Sequence, residues 1–315
     1  MTGFVLRRLL QLLPVLLAGS LCIFLMMYAV PGGPVAALVG ENATPEQIAG
    51  VTRELGLDRP VLTQYASWLA RALSGDFGVS LHSREPVLKL IGERLPATAQ
   101  LAVSATLVGL AIGVPMAIAS ALNPGGWLDR LLSGFSALAL GVPTFWLGIL
   151  LILLMAVQLR LLPAASAYHP VWQSPWLAFQ HTILPALTLG VYVSGIFARF
   201  LRASLITELQ SDYVRTARSK GLKESIVIAR HVVRNALLPF VTIVGLMLAS
   251  FIGGTVVTES VFTYPGLGRL LVQAISQRDY PLIQGCILII LASYMLVNLM
   301  IDVIYAYIDP RIDYH

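Results

Sequence analysis

Asp212 to Pro239 reads DYVRTARSKGLKESIVIARHVVRNALLP, the longest polar segment between two apolar runs in the second half of the chain. The cations Arg215, Arg218, Lys220, Lys223, Arg230 and Arg234 stand there against only Asp212 and Glu224. The pattern predicts two short helices broken at Gly221. Ser211 or Asp212 is placed to cap the first, accepting hydrogen bonds from its free N–H groups. Arg218 and Lys220 fall at its C-terminal end, where cations are favoured, and Gly221 tolerates the left-handed conformation that ends a helix. Glu224 falls in the first turn of the second helix, where an anion is favoured. Tyr213, Ala217, Ile226 and Val227 give the segment an apolar side.

The flanking runs are greasy enough to cross a bilayer, and they set the class. Of 315 residues, 57% are hydrophobic and 12% charged, whereas a soluble domain carries about 25% charged residues. Mean hydropathy is +0.79. Uncharged runs such as Leu9–Gly40, Leu95–Leu128, Leu131–Leu159 and Asn235–Thr258 each hold the roughly 20 apolar residues a span needs. The reading is an all-α integral membrane protein, a single domain over 1–315 with spans at 9–30, 96–122, 131–158, 181–205, 239–261 and 281–308. An extracytoplasmic cap occupies 31–95, and 206–238 forms a cytoplasmic loop.

Net charge is +5, but its distribution speaks for membrane topology and against nucleic acid. Eight of the 21 basic residues lie between Arg199 and Arg234, against Glu208, Asp212 and Glu224. Arg7 and Arg8 precede the first run, which puts the N-terminus in the cytoplasm. Six spans then put the basic loop and the C-terminus on the same side, with 41–95, 160–180 and 260–279 outside. The first apolar stretch is too long for a cleaved signal peptide and lacks a clear cleavage site, so it reads as an uncleaved anchor. Cys22 and Cys286 sit inside apolar runs and read as packing residues, with neither a disulfide framework nor a metal site implied.

In the cap, Thr44-Pro45-Glu46-Gln47 is a capping-box signature for a short helix to Leu55. A second helix is expected over Val61–Leu73, ended by Gly75, with turns at Asp76-Phe77-Gly78 and Arg84-Glu85-Pro86. Gly109 and Gly113 have the spacing that lets helices approach closely. Asn123-Pro124-Gly125-Gly126 reads as a tight turn, with Asp129 and Arg130 capping the following helix. Pro143 removes a helix hydrogen bond and allows a kink. Candidates for lining a path are Pro143, Phe145, Ser250, Gly253, Gly254, Thr255, Thr258 and Glu259. Glu259 reads as lying at the outer interface, paired with Arg269 or Arg278 or hydrated. His169 and His181 fit no helical ligand pair and have no carboxylate or Cys beside them, so no metal is expected there.

The loop by itself leaves three readings open: a topology signal, a lipid-headgroup patch, or a dock for a cytoplasmic partner. The run Asp212-Tyr213-Val214-Arg215-Thr216-Ala217-Arg218-Ser219-Lys220-Gly221, with Arg230-His231 and Arg234-Asn235-Ala236-Leu237-Leu238-Pro239, resembles the ATPase-coupling loop of ABC-importer permeases. The wider family opens this loop Glu-Ala-Ala, three residues, Gly. Here Arg215 replaces the Glu, ahead of Thr216, Ala217 and Gly221, as in the dipeptide, oligopeptide and nickel branch. Leu55–Pro60, Gly75–Gly78, Pro143-x-Phe145-Trp146-Leu147-Gly148, Phe262–Arg269 and Arg278–Pro281 resemble the first, dipeptide-permease-B-like permease of that branch.

That resemblance implies type I importer architecture with a small helical extracytoplasmic insertion between spans one and two, in a bacterial inner membrane. It implies a second, homologous permease making a heterodimer, two cytoplasmic ATPases that bind ATP and Mg, and an extracytoplasmic substrate-binding protein. The cargo implied is dipeptides or short oligopeptides, with glutathione, nickel or a metallophore complex as alternatives. No phosphate-cradling Gly-x4-Gly-Lys-Ser/Thr run occurs in the chain, so the chain itself is expected to hold no cofactor and not to be an enzyme. A secondary carrier without ATPases would call for ionisable relays deep in the spans, and the sequence supplies almost none.

Overall fold

The computed structural model describes residues 2–28, 52 and 58–308. Apart from Thr52, the Thr44–Leu55 helix expected in the cap lies outside the described residues. Among those described, secondary structure is helical apart from a single bridge between Val79 and Pro86. In chain order the helices are α1 (Thr2–Met26), α2 (Val61–Leu73), α3 (Val87–Leu122), α4 (Trp127–Gly141) and α5 (Thr144–Leu151), the last continuing as a π-helical stretch to Gln158. Then come α6 (Pro175–Leu209), α7 (Asp212–Ser219) and α8 (Glu224–Ile226), which runs through a π-helical stretch, Val227–Val233, into α9 (Arg234–Gly254). The chain finishes with α10 (Val256–Val261), α11 (Leu267–Ser276) and α12 (Tyr280–Ile308).

Among the described residues five helices are able, by length and composition, to cross a membrane, and a sixth crossing requires counting α4 and α5 together. Those two are bent by 99° at their break, far beyond the kink expected at Pro143. The cause is local. Pro143 has no N–H, and the residue before a proline is pushed out of the helical region. Val142 accordingly sits at φ −81°, ψ 124° and Pro143 at φ −60°, ψ 132°. Residues 87–95, expected in the cap, are instead the first turns of α3, and α6 starts before residue 181. The expected fifth span is also interrupted, at Thr255 between α9 and α10.

Where the sequence reads as one domain, contacts gather the chain into two compact units, Met1–Thr98 with Pro265–Met295, and Ala99–Tyr264 with Leu296–His315. In the first, Val87, Ile91, Leu267, Leu270, Leu282, Ile283 and Cys286 form a buried apolar cluster. Phe24 packs against Tyr28, Tyr65 and Trp68, which ties α2 to α1. Gly75, at φ +85°, ends α2 as its type allows. Asp279 is fully buried, accepts from the Ser80 hydroxyl and, at 3.3 Å, from the Leu282 N–H at the start of α12. Cys22 is exposed, so it is not the packing residue it was read as; Cys286 is buried.

The second unit is assembled on α6, which packs against α4, α5 and α9. Close approach is secured by small residues. A Cβ at Gly113 would lie 2.8 Å from the Ser194 carbonyl oxygen, and one at Gly109 would lie 2.2 Å from Val193 Cγ1. From the other side, a Cβ on Gly190 would lie 2.4 Å from Val108 Cγ1. Backbones at that separation exchange dense van der Waals contact where lipid offers no hydrophobic drive. Gly113→Leu is expected to wedge α3 from α6 and cost about 1–3 kcal/mol, as overpacking does. Thermal unfolding in detergent would reveal it, and an unshifted midpoint would refute the close contact.

Candidate functional site

The basic loop folds as α7, a turn, and α8. Lys220 caps α7 and Gly221 follows at φ +73°. The Gly221 N–H donates to Arg218 O at 2.9 Å and the Leu222 N–H to Ala217 O at 3.4 Å. This pair of bonds, closed over a left-handed glycine, satisfies carbonyls a helix end would leave bare. Arg218 spans the turn, donating from Nε and Nη2 to the two carboxylate oxygens of Glu224 at 3.1 and 2.6 Å. The carboxylate holds the guanidinium pKa above its ordinary value. At the other end the expected cap is not made: the Ser211 hydroxyl donates to Glu208 O at 2.6 Å instead of accepting from α7.

Val214 and Ala217 turn inward, while Arg215, Lys220, Lys223, Arg230 and Arg234 are exposed. Arg215 lies 3.8 Å from Asp212, but both side chains are solvated and such a pair contributes little. Tyr213 is a hydrogen-bonding hub more than an apolar knob. Its hydroxyl donates to Glu208, accepts from Asn235 Nδ2 at 2.9 Å and lies 3.5 Å from the His231 carbonyl. Partial burial raises its pKa above the ordinary 10.0. Glu208, which no motif in the sequence marks, ties α7 to the end of α6.

A groove of about 450 Å³ opens at the α4–α5 break, lined by Leu140–Thr144, Leu189, Tyr192, Ser250, Phe251 and Gly254. Three of the path candidates, Pro143, Ser250 and Gly254, meet there, and no charged side chain is among its walls. Phe145 is half-exposed and does not line it, and Gly253 is exposed. Thr255, Thr258 and Glu259 are buried away from solvent. That corrects only the hydrated alternative for Glu259, which is 0% exposed and accepts from Thr255 Oγ1 at 2.8 Å.

His169 and His181, distant in sequence, have ring centroids 5.0 Å apart. His181 Nδ1 accepts from the Ala167 N–H at 3.2 Å, which leaves its proton on Nε2 and takes both ring nitrogens out of metal binding in that tautomer. Among the described residues no group of three or more His, Cys, Asp or Glu is placed to hold a metal. Nearby, the Tyr264 hydroxyl and Gln100 Oε1 are buried without a hydrogen-bond partner among the described residues.

Residues 109–314 match the family model for the binding-protein-dependent transport system inner membrane component, and residues 1–102 match the N-terminal model of the same systems. The chain belongs to that family. Among curated relatives of these membrane components, a probable peptide ABC transporter permease, y4tP of Sinorhizobium fredii, is 40% identical over 99% of both chains. The glutathione transport system permease GsiC of Escherichia coli is 40% identical over the whole of both chains. The dipeptide transport system permease DppB of Alkalihalophilus pseudofirmus is 35% identical, again over both full lengths. In fold, the chain is similar to a structure of the MetNI methionine ABC transporter, with a TM-score of 0.57 at 17% identity over 70% of this chain and 96% of that one. An amino acid ABC transporter gives 0.52 at 18% identity, over 71% and 94%.

Two outcomes follow for this family member. A Cβ on Gly221 would meet nothing within 4 Å, so substitution there is penalised only through φ. A β-branched residue forced left-handed costs about 1–2 kcal/mol or more; Gly221→Val should therefore impair uptake while membrane insertion and abundance stay normal, and Gly221→Asn should be milder. Equal uptake in all three proteins would dismiss the loop geometry as irrelevant. Burial pushes the Tyr264 phenol from 10.0 up to about 12. The folded state thus disfavours tyrosinate: this stability is complete below about pH 10 and is lost as pH rises towards 12. A tyrosinate absorbance titration should lose its most alkaline component in Tyr264→Phe, and an unchanged titration would contradict the buried phenol.

Proposed function

We propose that this chain forms half of the translocation pathway of an ATP-driven importer of dipeptides or short oligopeptides. In this reading α7 is the dock for a cytoplasmic ATPase, and ATP hydrolysis with its Mg belongs to that separate subunit. The observation that carries the proposal is the α7–Gly221–α8 elbow, a short helix locked at its C-terminus, tied to α6 by Tyr213 and Glu208, and presenting cations outward. A loop serving topology alone needs no such internal bonding. The N-terminus and the elbow share the cytoplasmic side, by the basic bias of Arg7, Arg8 and the loop. A second permease supplies the other half of the pathway, and an extracytoplasmic binding protein delivers the cargo.

The charge-free groove favours a substrate held through main-chain amides and shape over one chosen by ion pairing. Full-length similarity to peptide and dipeptide permeases supports the same class. Glutathione stands as a second reading because the relatives named for it are as similar as the peptide permease is. It is itself a short peptide.

The test is purification of the chain from its native membrane with its assembled partners, followed by uptake into proteoliposomes of radiolabelled alanylalanine and of glutathione. ATP-dependent uptake of alanylalanine with co-purifying ATPases is the expected result. Uptake of glutathione alone would move the assignment to the second reading. A chain that purifies without ATPases would end the importer proposal.

A further inference from the structure

We propose that Arg202 and Asp129 form a strap that makes α4 follow α6 when the basic elbow moves, so that docking at α7 is felt at the groove; this rests on the coupling reading above. Arg202 Nε donates to Asp129 Oδ1 and Nη2 to Oδ2, both at 2.8 Å. The Ser120 hydroxyl donates to the same carboxylate and accepts from Arg202 Nε at 2.9 Å, and the Gly125 N–H donates to Oδ2 at 2.8 Å. One carboxylate thus gathers the end of α3, the Asn123–Gly126 turn, the start of α4 and the flank of α6. The Asp129 side chain is 7% exposed and that of Arg202 31%. Bidentate, charge-assisted bonds fix direction as well as distance.

Stability alone is a poor account of this arrangement. A largely buried ion pair is often no better than apolar residues of the same volume, and here the Asp129 carboxylate gives up nearly all of its water. What the pair provides is a fixed relation between two helices. Arg202 lies six residues before Glu208 on the uninterrupted α6, and Glu208 is the residue that Tyr213 of α7 grips. Asp129 lies in the first turn of α4, whose other end, at Leu140 and Gly141, walls the groove. Displacement of α7 therefore reaches α6 through Tyr213, α4 through Asp129, and the groove through the rigid length of α4. Arg202 and Asp129 are positioning residues; neither touches cargo.

The experiment uses the complete importer in proteoliposomes and reads alanylalanine and glutathione carried per ATP hydrolysed. The double variant Arg202→Met, Asp129→Leu fills the site with apolar volume and so keeps the fold without the strap. Its transport per ATP is expected to fall about tenfold, within the usual range for coupling between sites, while hydrolysis and complex assembly persist. Arg202→Lys keeps the charge but not the fork and should fall between the two. A wild-type ratio in the double variant overturns the strap. If the double variant fails to assemble, Arg202→Lys decides: an assembled complex with an unchanged ratio also overturns it. No ATPase co-purifying with the unaltered chain would instead remove the coupling reading, and the strap with it.

Discussion

Lipid offers backbone amides nothing to bond with, so a chain that crosses it must satisfy its own N–H and C=O groups, and does so by remaining helical. Every departure from helix in this chain therefore needs a local reason. At Val142 and Pro143 the reason is a missing N–H, and the outcome is a 99° bend whose open side becomes the groove. At Gly221 it is a left-handed glycine that closes two bonds over the end of α7. The π-helical stretches, Ile152–Gln158 and Val227–Val233, lie just beyond these two breaks. Such widened turns often accompany functional sites, since they re-aim side chains without cutting the helix.

The same poverty of solvent governs charge. Within the described unit built on α6, two buried carboxylates are held by named partners: Asp129 by Arg202, Ser120 and Gly125, and Glu259 by Thr255. The elbow is the contrasting region. Its cations stand in solvent apart from Arg218, which is committed to Glu224 across the turn. The elbow is internally bonded and positively charged on its outer face, and the family to which the chain belongs is one of multi-component transport systems.

Local features were legible from the sequence because local physics decides them. The Val61–Leu73 helix, the stop at Gly75, the break at Gly221, and the small-residue contact face at Gly109 and Gly113 all follow from residue type and spacing. The capping role of Ser211 was misread because a hydroxyl has two local options, and this one bonds backwards to Glu208 O. Tyr213 was misread as an apolar knob because nothing in its neighbourhood announces Glu208 and Asn235 as partners. Glu259 is not hydrated as read, because proximity to the end of a span says nothing about which neighbours cover it.

By itself, the sequence determined that this chain is a bundle of membrane-crossing helices, and to which kind of permease it is similar. Those properties depend on runs of apolar residues and on short motifs, all local quantities. Only the tertiary structure decided that Arg202 meets Asp129 across 73 residues, that His169 meets His181, and that Pro143, Ser250 and Gly254 share one groove. Such meetings are settled by how helices pack and how sharply α4 and α5 bend, and no periodicity along a single helix records its rotation against the next.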